Sequence, residues 1–115
     1  MFNKNIFEDL INKIPNFQEK TNEIRAKSED FIHEESGAAG LVNIKMHGSR
    51  KIVSIEISDE LISMNDKKMM TDILKATINS AIDKVQNEFD QRLNKSMTEF
   101  FLQSVNPSQL FSDNK

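Results

Sequence analysis

Apolar residues recur every three or four positions along the first third of the chain. The stripe runs through Phe7, Leu10, Ile14, Phe17, Thr21, Ile24, Ser28 and Phe31. This spacing predicts one face of a helix with coiled-coil character. Pro15 disfavours helical geometry at Ile14 but is tolerated at a first helical position. We therefore expect a short or kinked helix over residues 3–13 and a main helix over about 15–29.

The hydrophobic pattern changes to a period of two in the middle of the chain. Val42, Ile44 and Met46 alternate with polar residues, as in a strand with one buried face. We expect three antiparallel strands, over about 30–35, 40–47 and 50–58. The turns between them contain all the glycines of the chain, Gly37, Gly40 and Gly48.

Turn chemistry predicts the register of the second hairpin. The glycine–serine pair at 48–49 favours a two-residue type II′ turn. Pairing His47 with Arg50 then places Ile44 opposite Val53 on the apolar face. In this register Ile52 lies on the polar face, either as a lone surface residue or as a contact to a partner subunit.

The first hairpin is compatible with two loop lengths. A four-residue loop places Phe31 and His33 on the core face, whereas a five-residue loop places Ile32 there. The adjacent glutamates, Glu34 and Glu35, are interpreted as a solvated loop edge rather than an acid–base pair.

Capping residues predict two helices after the sheet. Ser58 or Asp59 caps a short helical turn, and Asn65 or Asp66 caps a long helix over about 66–100. A helix of about 30 residues is roughly 45 Å long, so it packs on the first helix, on a second subunit or projects into solvent. The predicted fold is α+β, with a single domain over 1–105 and a flexible tail over 106–115.

Composition narrows the class of protein. Apolar residues form 37% and charged residues 29% of the 115-residue chain, which suggests an elongated shape or a core completed by a second subunit. The absence of cysteine excludes disulfides and thiolate sites. With neither a membrane-length apolar run nor a signal-peptide pattern, we expect a soluble intracellular protein.

Residues typical of catalysis or metal binding are sparse. His33 and His47 are the only histidines, and neither has a further ligand at metal-site spacing. No nucleophile motif and no phosphate-binding glycine loop is present. We therefore predict no enzyme activity, no metal and no cofactor.

Cations off the apolar stripes are the more informative charges. They are Lys20, Arg25 and Lys27 in the first helix and Lys75, Lys84, Arg92 and Lys95 in the last. One interpretation is an ordinary solvated surface with local ion pairs. The other is a dimer that presents the same cations twice to phosphates, in a salt-sensitive and sequence-tolerant way.

Four segments together resemble the YbaB/EbfC family of bacterial nucleoid-associated proteins. They are Glu35 to Val42, Gly48, Ile55 to Ser58, and Asn79 to Ala81. The resemblance implies a cytoplasmic, nucleoid-associated homodimer with helical arms that project like tweezers. It also implies binding of double-stranded DNA with low sequence specificity through the two long helices, where the cations above are the matching positions.

A second hypothesis is a dimeric protein-interaction module. The coiled-coil-like stripe and the six methionines are compatible with a clamp that holds another protein between its arms. Salt-dependent binding of duplex DNA distinguishes the two hypotheses.

Overall fold

A computed structural model describes residues 4–104. Two helices, α1 (Lys4–Lys13) and α2 (Phe17–Ser28), precede the strands β1 (Ile32–Gly37), β2 (Val42–His47) and β3 (Ile52–Ile57), and the helices α3 (Asp59–Ser63) and α4 (Lys67–Ser104) come after them. The strands form one antiparallel sheet in the order β1-β2-β3. The predicted α+β class, with a long C-terminal helix, is confirmed. The other expected long helix, at the N-terminus, is replaced by two short ones of 10 and 12 residues. The predicted tail over 106–115 lies outside the described residues.

The break between the first two helices falls at the predicted proline. Asn16 adopts a left-handed conformation (φ 57, ψ 34), which separates α1 from α2. From Ile14 to Ser28 the predicted stripe is inward-facing: Ile14 and Ser28 are buried, and Phe17 and Ile24 are half-buried. Asparagine tolerates this left-handed geometry better than most residues because its short side chain bonds locally.

The first hairpin has the four-residue loop, and β1 begins later than predicted. Glu35 pairs with Ile44 and Gly37 with Val42, so the loop spans 38–41. His33 shares the core face, as that loop length predicts, but it pairs with Met46 and not, as expected, with Val42. The interpretation of Glu35 as part of a solvated edge was wrong, because the residue is 7% exposed within the strand.

The predicted register of the second hairpin was wrong by two residues. Ile44 pairs with Ile55 rather than Val53, and Ile52 lies opposite Met46 rather than on the polar face. The reason is a longer loop in which Arg50 takes a positive φ of 71°. The His47 N–H donates to the Lys51 carbonyl at 2.8 Å across this loop. A bulge then offsets β3 between its pairings with Lys45 and Met46.

Both predicted caps after the sheet are present. The Ser58 hydroxyl accepts a bond from the Leu61 N–H at 3.2 Å, and the Asp66 carboxylate accepts one from the Met69 N–H at 3.0 Å. Helix α4 then continues for 38 residues, which is about 57 Å.

Helix α4 lies across β1 and β2, and its C-terminal half packs against α2. One buried cluster consists of Val42, Ile44 and Leu61, and the other of Met46, Ala81 and Val85. Strand β3 lies at the sheet edge away from the helix, and its apolar side chains are largely exposed. No helix in the described part of the chain has the length and apolar character to cross a membrane.

Candidate nucleic-acid interface

Helix α2 runs antiparallel along the C-terminal half of α4. At one end the Phe17 ring lies 6.1 Å from the Phe100 ring and 5.9 Å from the Phe101 ring, centroid to centroid. At the other end Phe31, just after α2, lies under Arg92. We call this pair of helical segments, residues 17–28 and 84–104, the arm.

The arm contains a groove in which three of the seven predicted cations converge. The groove has a volume of about 270 Å³ and is lined by Lys27, Ser28, Arg92, Lys95, Ser96 and Glu99. Lys27 comes from the last turn of α2, whereas Arg92 and Lys95 lie one turn apart on α4. The Ser96 hydroxyl adds a neutral hydrogen-bond donor, whereas the buried Ser28 hydroxyl already donates to the Ile24 carbonyl at 2.7 Å.

Packing and ion pairing hold the groove cations in different ways. Arg92 is fixed, because its Nε donates to Glu88 Oε2 at 2.8 Å and its guanidinium lies 4.5 Å from the Phe31 ring centroid. Lys27 Nζ lies 3.3 Å from Glu23 Oε1. Lys95 makes no ion pair within the part of the chain that the structure describes.

Carboxylates around the groove moderate its positive charge. The hydrogen bond from Lys27, together with the charges of Lys20 and Lys27, lowers the pKa of the Glu23 carboxyl. Glu23 therefore stays ionised at neutral pH. A phosphate entering the groove competes with Glu23, Glu88 and Glu99 for the cations, so its binding is weak at each contact and sensitive to salt.

The other four predicted cations lie outside the groove. Lys20 sits beside Glu23 at 3.8 Å, and Arg25 is two residues from Lys27, which places it on the opposite side of α2. Lys75 is exposed near the start of α4, about 30 Å along the helix from Lys95. The Lys84 ammonium lies 3.0 Å from a buried carboxylate, that of Glu35.

Glu35 is the centre of a buried polar cluster that sequence reasoning missed. Its Oε1 lies 2.7 Å from His33 Nε2, and its Oε2 accepts bonds from Ser80 Oγ at 2.9 Å and Lys84 Nζ at 3.0 Å. Burial alone raises the pKa of this carboxyl, but the bonds from His33, Lys84 and Ser80 outweigh it and lower the pKa to about 2. The alternation of Phe31 and His33 on the core face was the signal, since Glu35 continues it.

Arg50 is a second residue that sequence reasoning missed, and it ties the hairpin loop to the base of the arm. Its guanidinium lies 5.2 Å from the Phe89 ring centroid, 3.7 Å from Glu29 and 3.2 Å from the Gly48 carbonyl. These contacts join the end of α2, the second loop and α4. Arg50 gives no periodic signal, because it lies in a loop.

The histidines have hydrogen-bond partners close to them in the sequence. His33 contacts Glu35, and His47 Nδ1 accepts a bond from the Ser49 N–H at 3.0 Å. Among the described residues, no three His, Cys, Asp or Glu side chains cluster as metal ligands do.

Comparisons with known proteins identify a family and several relatives. A model of the YbaB/EbfC DNA-binding family matches residues 4–100. A nucleoid-associated protein of Ureaplasma urealyticum is 33% identical over 95 residues, which cover 79% of this chain and 91% of the relative. One from Chloroflexus aurantiacus is 29% identical over 84 residues, covering 73% and 84%.

A solved structure supports the fold. The crystal structure of an uncharacterized protein from Helicobacter pylori superposes with a TM-score of 0.54 at 23% identity. The match covers 71% of this chain and 92% of that one.

Proposed function

This chain belongs to the YbaB/EbfC DNA-binding family, and we propose that it binds duplex DNA as a homodimer with low sequence specificity. The names of its relatives support a nucleoid-associated role. We propose further that the protein acts in the cytoplasm and affects nucleoid organisation or gene expression. The observation that carries the proposal is the groove in which Lys27, Arg92 and Lys95 converge. No catalytic step is part of it.

Low specificity is expected from the kind of contact that the groove offers. Lysine and arginine side chains match phosphate oxygens, and phosphate contacts position a protein without reading sequence. The guanidinium of Arg92 is already bonded to Glu88 and stacked on Phe31. It is therefore oriented before DNA arrives, and because the bond to Glu88 uses only its Nε–H, its other N–H donors can reach phosphate oxygens.

The uncovered side of the sheet supports the homodimer. Strand β3 is an edge strand, and its Ile52, Val53 and Ile55 are 43–56% exposed. Ile62 and Met64, in and just after α3, are about half exposed as well. A second copy related by a two-fold axis brings the same edge and the same apolar side chains to itself, so both copies bury them together.

A dimer joined at β3 carries two arms. Each arm presents its own Lys27, Arg92 and Lys95, so the pair contacts a duplex at two separated points. Two weak, linked contacts bind more tightly than either alone when the geometry lets both engage. The linkage of two contacts therefore compensates for the weak binding expected of each groove alone.

Titration of labelled duplex DNA at several salt concentrations tests the proposal. The variant Lys27→Gln with Lys95→Gln should weaken binding and lower the slope of log affinity against log salt by about 0.9 for each phosphate that the variant no longer neutralises. The matched control, Lys45→Gln with Lys51→Gln, removes the same charge from the sheet and should change the slope little.

Two results contradict the proposal. If the arm variant and the sheet control weaken DNA binding equally, the groove is not the DNA contact. No binding by the native chain at ~50 mM salt, where phosphate contacts are strong, refutes duplex binding and favours the protein-clamp hypothesis.

A further inference from the structure

Glu35 connects the sheet to the arm through side-chain hydrogen bonds. Its carboxylate accepts bonds from Ser80 and Lys84, which lie one turn apart on α4. Within residues 4–104, these are the only side-chain hydrogen bonds that join α4 to the sheet. The point of attachment lies just before the helix leaves the sheet and enters the arm.

The other contacts between α4 and the sheet around Glu35 are close van der Waals contacts, which depend little on orientation. Thr77, Ala81 and Val85 are buried against the sheet, and Thr77 approaches Gly37 so closely that a Cβ there overlaps its hydroxyl. Small side chains of this kind set the distance between a helix and a sheet. Hydrogen bonds with defined geometry are what resist rotation and tilt of the helix.

We infer that Glu35 is a positioning residue that sets the angle of the arm, and that Lys84 serves this attachment rather than contacting DNA. Lys84 was among the cations predicted to bind DNA. Its ammonium instead faces a carboxylate that is nine-tenths buried, with His33 and Ser80 as the other groups around it. The part of this inference that concerns affinity rests on the proposed DNA binding; the part that concerns arm geometry does not.

Charge and position make opposite predictions for Glu35→Gln. Removing a carboxylate makes the protein less negative, so electrostatics alone predicts tighter binding to DNA. Loss of the attachment predicts weaker binding, because two arms at variable angles fit a duplex less often. Glu34→Gln is the matched control: it removes the same charge from the neighbouring residue, which is exposed and 3.5 Å from Lys45.

Distances between paired labels measure the arm angle directly. Because the chain has no cysteine, the substitutions Lys51→Cys and Asn94→Cys place one spin label beside β3 of the sheet and one on the arm. Mixing the labelled protein with an excess of unlabelled protein ensures that a dimer contains at most one labelled protomer. The measured distance is then the one between the two labels of that protomer. Glu35→Gln and Lys84→Gln should each broaden the distance distribution, whereas Glu34→Gln should leave it unchanged.

The Lys84→Gln variant can be tested even if Glu35→Gln does not fold, because Lys84 is exposed. Its side chain is 58% exposed, so Lys84→Gln folds even where Glu35→Gln does not. A distribution for Lys84→Gln that matches the native one overturns the inference.

DNA titrations then separate positioning from contact. Glu35→Gln and Lys84→Gln should each weaken binding about tenfold without changing the salt slope, and the double variant should bind no more weakly than either single one. A fall of about 0.9 in the slope for Lys84→Gln identifies a direct phosphate contact and overturns the inference. If the native chain binds no DNA, the proposed function fails while the label distances still decide the role of Glu35.

Discussion

At the scale of single residues, Glu35 shows how a buried charge is tolerated in a thin core. Moving a carboxylate out of water is costly unless its oxygens are hydrogen-bonded. Here three donors from β1 and α4 bond both oxygens. The carboxylate thus has hydrogen bonds to both oxygens only when helix α4 packs on the sheet.

This linkage predicts acid-dependent stability. The pKa of Glu35 falls from an ordinary 4.5 to about 2 on folding. A lowered pKa in the folded state contributes stability above pH 4.5, and this contribution is lost as the pH falls towards 2. The difference corresponds to about 3 kcal/mol of unfolding free energy.

Chemical unfolding at pH 7 and pH 3 checks this prediction. The native chain and Glu34→Gln should lose stability on acidification, while Glu35→Gln should be less stable at pH 7 and lose less on acidification. Parallel pH profiles for all three proteins contradict it.

Only the part of this site that lies on β1 could be predicted from the sequence. One of the two loop lengths left open by the sequence puts Phe31 and His33 on the core face, and the same phase points to Glu35. Its partners Ser80 and Lys84 lie 45 and 49 residues away. No local pattern connects residues so far apart, so the cluster required the tertiary structure.

At the scale of elements, the strands were predictable because side chains alternate between faces, while their exact pairing was not. The two-residue shift in the second hairpin keeps Ile44 opposite an apolar residue, since an even shift preserves the face. What decided the register was the left-handed Arg50. An arginine at such a position carries no turn signal comparable to that of glycine.

The contact between β1 and α4 predicts a specific sensitivity at Gly37. A Cβ added there overlaps Thr77 Oγ1, so Gly37→Ala should lower the unfolding free energy by about 2 kcal/mol. Adding Thr77→Ala removes the obstructing hydroxyl and should restore part of the stability.

Gly40→Ala is the control for this pair. Gly40 has open space around it but a φ of +94°, so its cost of about 1 kcal/mol comes from backbone strain. Thermal and denaturant unfolding measure both effects. Rescue of Gly40→Ala by Thr77→Ala, or no rescue of Gly37→Ala, contradicts the steric explanation.

At the scale of the whole molecule, the lean apolar content predicted an elongated shape, and the chain measures 75 by 25 by 19 Å. The groove could not be predicted, because antiparallel packing of α2 on α4 joins Lys27 to residues more than sixty positions later. The prediction of two projecting arms rests on the family resemblance rather than on the hydrophobic periodicity.

The proposed dimer contact predicts which apolar residues control size. Ile55→Asp on β3 should convert a particle of about twice 13.2 kDa into a monomer, because it places a charge in the buried contact. Ile32→Asp changes an isoleucine of similar exposure on β1, at the opposite edge of the sheet, and should remain dimeric. Light scattering at micromolar concentration distinguishes them, and a monomeric native chain refutes the contact.

The unbroken length of α4 makes the arm a lever with its fulcrum at the sheet. Ser104 lies twenty residues beyond Lys84, which is about 30 Å along the axis. A tilt of ~10° at the fulcrum displaces the tip by about 5 Å, more than the ~3.4 Å of helix axis that each phosphate of one strand occupies. In the proposed complex, Gly37, Thr77 and Glu35 therefore affect the reach of the protein through the angle of the arm, at a distance from the groove cations.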